Sequence, residues 1–261
     1  MSGQDERFFD KKQISLRCEL QNLIEQDGIC AMKLSTEDAG MPFDDILERH
    51  RLFGDMLPIQ LKIGGPEARN DMRTGVAIGC RALIAPMIES PYSLRNFLEA
   101  CRETLGEERF FYIDKQINIE TIQGANQIEE ILACPEAKEL SQITVGRHDL
   151  CRSMNEKPNH PRVIELIKHV VNCAHQHKIH TSIGGRITPG DAKLIANNIK
   201  PHKINTREIG FEISTPKMAE KITQKLINFE VKLLKHERSF YTHEEERLSD
   251  RITKLKGRHN R

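Results

Sequence analysis

"INIETIQGANQIEEIL", residues 117–132, begins as a strand and ends as a helix. Ile117 and Ile119 alternate with Asn118, Glu120 closes the apolar run, and Gln123 to Leu132 reads as the first turns of a helix. A strand that hands over directly to a helix is half of a crossover unit. Repeated along a chain, that hand-over builds a parallel sheet with helices between its strands. It also leaves Glu120 at the C-terminal end of a strand, where a carboxylate is costly to keep dry unless a positive group meets it.

The hand-over does repeat. Strands are expected near residues 28–35, 57–64, 81–88, 109–120, 141–146, 178–185 and 203–213, with amphipathic stretches such as "FDDILERHRLFGDM" and "PRVIELIKHVVNCAHQH" between them. Ser90 before Pro91 and Thr188 before Pro189 read as helix starts. Polar residues follow the strands throughout: Glu37 and Asp38, Lys62, Glu89, Glu120, His148 and Asp149, Arg186, and Arg207. In a closed barrel these converge on one rim, where active sites of that fold sit. The expected fold is therefore an α/β TIM barrel of the (β/α)8 type. Seven strands are clear. Either an atypical first strand hides in the first 25 residues, or the barrel departs from the standard pattern. Residues 16–28 read as a helix leading into the first clear strand. The barrel is expected over residues 1–213 and a C-terminal helical extension over 214–261.

Composition narrows the function. The chain has 261 residues, close to the length of one barrel of about 250. Its 39 basic and 38 acidic side chains nearly cancel, which gives no sign of a nucleic-acid or membrane-surface partner. No run reaches the roughly 18 apolar residues of a membrane-spanning helix, and "MSGQDERFFDKKQ" lacks the apolar centre of a secretory signal. Seven cysteines without a CxxC pair read as reduced thiols, and the expected setting is cytoplasmic. Residues 214–261 carry 12 basic and 7 acidic side chains. There Met218, Ile222, Leu226, Phe229 and Leu233 form a helical stripe that suits packing on a sister subunit, so a homo-oligomer through the C-terminal helix is expected.

A partner site for Glu120 is offered by "ITVGRHDLCRS", residues 143–153, where a strand ends at Gly146 and Asp149 sits in the turn beyond it. Two carboxylates at neighbouring strand ends suit a hard divalent cation, Mg²⁺ or Mn²⁺. The plainer alternative is that Glu120 pairs with a rim Arg or Lys and Asp149 caps a helix. Arg147 at the same rim would bind a second anionic group or form a plain salt bridge. Lys33 and Arg207 are further rim candidates. The paired glycines of "KIGG" and "SIGGR" are weak as phosphate loops.

"INIET", "APMIESPYSL" and "VGRHDL" resemble strands of the pyruvate (hydroxy-oxo-acid) aldolase and citrate lyase β-subunit superfamily, over about residues 28–210. "KIGGPEARND" and "INTRE" resemble a divergent branch of it. The resemblance implies a metal-dependent carbon–carbon lyase that works through an enolate of pyruvate or a related 2-oxo acid, with an aldehyde as second substrate. It implies that Glu120 and Asp149 bind the metal. The substrate carboxylate would rest on the turn Gly146, Arg147, His148 and Asp149. Lys62 stands where the family carries an arginine over the enolate oxygen, and Asp38 where the aldolases carry a proton-transferring histidine. His148 is the other acid/base candidate. Two alternatives stand beside this reading: a citryl-CoA-like acyl lyase, and a non-catalytic barrel serving as scaffold in a biosynthetic complex.

Overall fold

A computed structural model describes residues 9–37, 39–238 and 245–258. The chain opens with α1 (Lys11–Asp27) and then alternates. The order is β1 (Ile29–Ser35), α2 (Phe43–Phe53), β2 (Ile59–Lys62), α3 (Arg69–Ile78), β3 (Ala82–Ala85), α4 (Pro91–Tyr112) and β4 (Asp114–Ile119). Two short helices, α5 (Ile122–Asn126) and α6 (Ile128–Ala133), precede β5 (Leu140–Gly146). Then come α7 (Arg147–Met154), α8 (Pro161–Gln176), β6 (His180–Gly184), α9 (Pro189–Asn198), β7 (Lys203–Asn205), β8 (Ile209–Glu212), α10 (Pro216–Arg238) and α11 (Glu245–Lys256).

The eight strands close into a barrel in sequence order. β1 to β7 run parallel, as the crossover helices require, but β8 lies antiparallel to both β7 and β1. The departure from the standard barrel is therefore at the end of the sheet. The first strand is regular and needs no hidden partner. What reads as one strand over 203–213 is a hairpin, with Lys203 opposite Glu212 and Asn205 opposite Gly210. Three residues, Thr206 to Glu208, cannot hold a crossover helix, so the chain must turn straight back. The turn is pinned from outside: the amide of Glu208 and the hydroxyl of Thr206 both donate to Glu230 of α10, at 2.8 and 2.5 Å.

A second boundary also differs. "RFFY" (109–112), aromatic enough to read as strand, finishes α4, and β4 starts only at Asp114. Phe110 is buried, whereas Phe111 and Tyr112 are exposed. The helix starts at Ser90 and Thr188 hold, each side chain closing a capping box.

Apolar side chains of the strands, such as Ile117, Ile119, Ile143, Val145 and Ile183, pack outward under the helices in the main core. The alternate positions carry polar groups that bond to one another inside the barrel. Gln142 Nε2 donates to Gln116 Oε1 at 3.0 Å, Thr144 and Ser182 hydroxyls lie 2.7 Å apart, and Asn205 Nδ2 donates to Ser182 Oγ at 3.0 Å. Barrel interiors are usually filled by branched aliphatics. This one offers hydrogen bonds from its floor.

The stripe on α10 is consumed within the chain. Ile222, Leu226, Phe229 and Leu233 belong to the main core, and Phe229 packs edge-on to Phe53 at 6.2 Å. The stripe thus supplies no subunit interface. On another face of α10, Ile227, Val231 and Leu234 form a second cluster with Leu248, Ile252 and Leu255. This docks α11 back across the barrel. All seven cysteines are free. Among the described residues, no helix is long and apolar enough to cross a membrane.

Candidate active site

The C-terminal strand ends surround a cavity of about 600 Å³, floored by Lys33, Asn118 and Thr144 and walled by the β4, β5 and β6 loops. Glu120, 4% exposed, stands at its edge and meets Lys62. The Lys62 ammonium is 3.2 Å from each Glu120 oxygen and 2.8 Å from Glu37 Oε2. One cation is shared between two carboxylates, on a strand that is buried at all four positions. The expected alternative, Glu120 against a rim lysine, is therefore the arrangement in this structure.

Glycines bring the next pieces close. A Cβ on Gly146 would stand 2.7 Å from Glu120 Cγ and 2.9 Å from its Oε2, so only glycine lets β5 pass this carboxylate. Gly185, at φ 97, sits so near the start of α7 that a Cβ would lie 2.5 Å from the His148 amide nitrogen. The glycine pair of "SIGGR" is thus a close-packing turn. Gly146 is the N-cap of α7 and has no side chain to cap it, leaving first-turn amides beside a cavity that Gly146, His148 and Asp149 all line. Such a helix start favours an anion.

The remaining predicted residues divide. His148 lines the cavity, and burial, reinforced by Arg186, lowers its pKa below the ordinary value. Asp149 lines it too and is exposed. Arg147 does not. Its guanidinium turns to Asp191 of α9 at 2.7 Å, the plain salt bridge that was the alternative for it. Asp191 also accepts the amide and hydroxyl of Thr188. Burial would raise the Asp191 pKa, but Arg147 and Thr188 outweigh it and hold the carboxyl below its usual range. Asp38 lies outside the described residues.

The oxygen donors fit a hard cation. Asn118 Oδ1 is buried without a hydrogen-bond partner, Glu120 Oε1 accepts no hydrogen bond beyond its ion pair with Lys62, and Asp149 opens on the same cavity. Three oxygens of this kind, with room for water, match what Mg²⁺ or Mn²⁺ takes. The Lys62 ammonium is the competitor for Glu120.

Sequence reasoning missed the roof. Arg251, Lys254 and Arg258 of α11 and the turn after it line the cavity mouth. Arg251 is anchored there by Glu208, the hairpin residue, which also lies 3.1 Å from Arg49. The signal was the 251, 254, 258 spacing of basic residues along one helix face, but nothing in the sequence said which surface that face would meet.

Residues 64–184, from the end of β2 to the end of β6, match the HpcH/HpaI aldolase/citrate lyase family. Over that stretch, a little under half of its length, the chain is similar to that family. Its members are aldolase- and lyase-type enzymes, and the expected superfamily and closed barrel both stand. Among solved structures, an HpcH/HpaI aldolase/citrate lyase family protein from Burkholderia cenocepacia J2315 is 16% identical with a TM-score of 0.60, covering 74% of this chain and 83% of its own. An HpcH/HpaI aldolase from Desulfitobacterium hafniense DCB-2 is 14% identical, again at 0.60, covering 73% and 82%. The citrate synthase SbnG is 14% identical at 0.54, covering 72% and 89%. At such identities the likeness is one of fold. No curated protein matches the sequence.

Proposed function

We propose that this barrel is a divalent-metal-dependent carbon–carbon lyase of the aldolase type, acting through the enolate of pyruvate or a related 2-oxo acid. The observation that carries the reading is buried Glu120, whose Oε1 accepts no hydrogen bond and has Lys62 alone as an ion-pair partner among the described residues, at the edge of the cavity where α7 begins.

Each residue then has a defined task. Glu120 and Asp149 hold Mg²⁺ or Mn²⁺. When bound, the cation supplies Lewis-acid charge beside the developing oxyanion, a contribution of several kcal/mol. The α7 amides after Gly146 receive the substrate carboxylate. Lys62 places fixed positive charge where the enolate oxygen develops, in a site screened from water. Because lysine lacks the planar fork of an arginine, it stabilises by charge and not by a bidentate grip. His148 and Asp38 are the groups that would move the proton between carbon or hydroxyl and solvent. Asp38→Asn and His148→Ala assign that step to one or the other.

The assay is decarboxylation of oxaloacetate, whose C–C cleavage releases CO₂ and leaves the pyruvate enolate to be protonated. The expected result is a rate above the metal-only background, lost on chelation and in Glu120→Gln. A rate no greater than that background would rule the reading out for this substrate class.

A further inference from the structure

The roof of the cavity asks for a substrate group that a simple 2-oxo acid does not have. Eight Lys or Arg side chains line the cavity against three carboxylates. Lys62 pairs with Glu120 and Glu37, Arg251 with Glu208, and Lys254 with Asp250. Arg186, Arg207 and Arg258 make no ion pair among the described residues.

Two of the guanidinium groups are also more than nine-tenths buried, Arg251 at 5% and Arg258 at 7% exposure. Arg251 Nε and Nη1, Arg258 Nη1 and Arg207 Nε have no hydrogen-bond partner. Burial lowers the pKa of Arg258, and the neighbouring charges of Arg207, Arg186 and Arg147 lower it further against the pull of Glu230. A buried guanidinium with unused donors among like charges is costly. That cost is offset when a multiply charged anion fills the space between them.

We propose that Arg251 and Arg258, brought over the barrel mouth by α11, form with Arg186 and Arg207 a binding site for a phosphate-type dianion carried by the substrate. The reacting end lies at Lys62 and Glu120 at the cavity's edge, and the dianion lies under the roof. The acceptor or cleaved product is accordingly a phosphorylated carbonyl compound. This deepens the enolate reading and rests on it for the word acceptor, but the anion site itself does not depend on turnover. Burial of the guanidiniums argues for a compact terminal phosphate held inside the cavity. A long coenzyme laid across the surface would use exposed cations.

Isothermal titration calorimetry of the full chain with inorganic phosphate, pyrophosphate and succinate at low salt tests this. Saturable phosphate or pyrophosphate binding is expected, tighter than succinate. Arg258→Gln and Arg186→Gln should each weaken it at least about tenfold, as expected for loss of about 1.4 kcal/mol of charge-assisted contact. Arg186 is exposed and apart from the apolar contacts of α11, so its variant keeps the test open if the Arg258 variant unfolds. Absence of saturable phosphate binding, binding unaltered by either substitution, or preference for succinate would each overturn the assignment. Because no turnover is measured, that failure is separate from any failure of the oxaloacetate assay.

Discussion

Glu120 is held by atoms that leave it almost no freedom. Lys62 donates to its Oε2 and lies as close to its Oε1, and Gly146 gives it the one gap through which β5 can pass. Gly146→Ala would drive a methyl group into that gap. The expected cost is about 1–3 kcal/mol of stability from overpacking. A shift of the carboxylate of about 1 Å should also lower turnover on the order of 10²-fold. Urea unfolding and oxaloacetate decarboxylation check the two figures separately, and a variant with wild-type turnover would mean that Glu120 is not held to a working position. At this scale the sequence was informative about which residues matter and poor about their partners. A glutamate ending an apolar strand is conspicuous because its burial has a cost. That Lys62 would answer it, while Arg147 would turn away to Asp191, depends on strand register and helix phase that no short motif carries.

Among the elements, the β7–β8 hairpin and α11 form one device. Glu208 sits in the hairpin turn, lies between Arg49 of α2 and Arg251 of α11, and is 4% exposed as a side chain. Burial raises its pKa, but the two arginines and their neighbours prevail and keep it ionised below the usual glutamate range. Glu208→Gln would leave the buried Arg251 guanidinium facing a neutral amide, while Arg49 keeps Glu237 at 2.7 Å. A loss of about 3–5 kcal/mol is expected. α11 should then open to limited proteolysis before the barrel does, since its own apolar cluster is small. Cleavage of mutant and wild type at the same rate would contradict the latch. The hairpin was hard to see beforehand because "KINTREIGFEI" is β-rich from end to end. Only the polar triplet Thr206, Arg207 and Glu208 at its centre marks the reversal. α11 was recognisable as a helix, but its docking on α10 and over the barrel mouth arises from tertiary contacts with Ile227, Val231 and Leu234.

For the molecule as a whole, the seven parallel strands gather their C-terminal ends on one rim. This is why six of the nine polar residues named after apolar runs line the cavity. The opposite rim is plainer and has its own chemistry. His175, His180 and His202 cluster there, with His202 in ring contact with each of the others at 4.6 Å. His202 Nδ1 accepts the Thr181 amide at 3.0 Å, a bond that only the neutral ring can accept. Burial lowers the His202 pKa below 6.5, and His175, His180 and Lys203 lower it further against Glu212. The folded state thus binds fewer protons than the unfolded state between the depressed value and 6.5. Stability is fully present above that window and falls as pH drops through it. The melting temperature should decline from pH 7.5 to 5.5, and the decline should be smaller in His202→Asn, which retains an acceptor. An unchanged decline in that variant would remove the histidine cluster from the explanation.

The most direct test of the enolate itself needs no second substrate. Pyruvate incubated with the protein and Mg²⁺ or Mn²⁺ in D₂O should lose its methyl proton signal by NMR. That loss should stop with a chelator and in Glu120→Gln and slow markedly in Lys62→Met. Methyl protons that persist in the wild-type protein with either metal would contradict pyruvate as the carbon that this site activates.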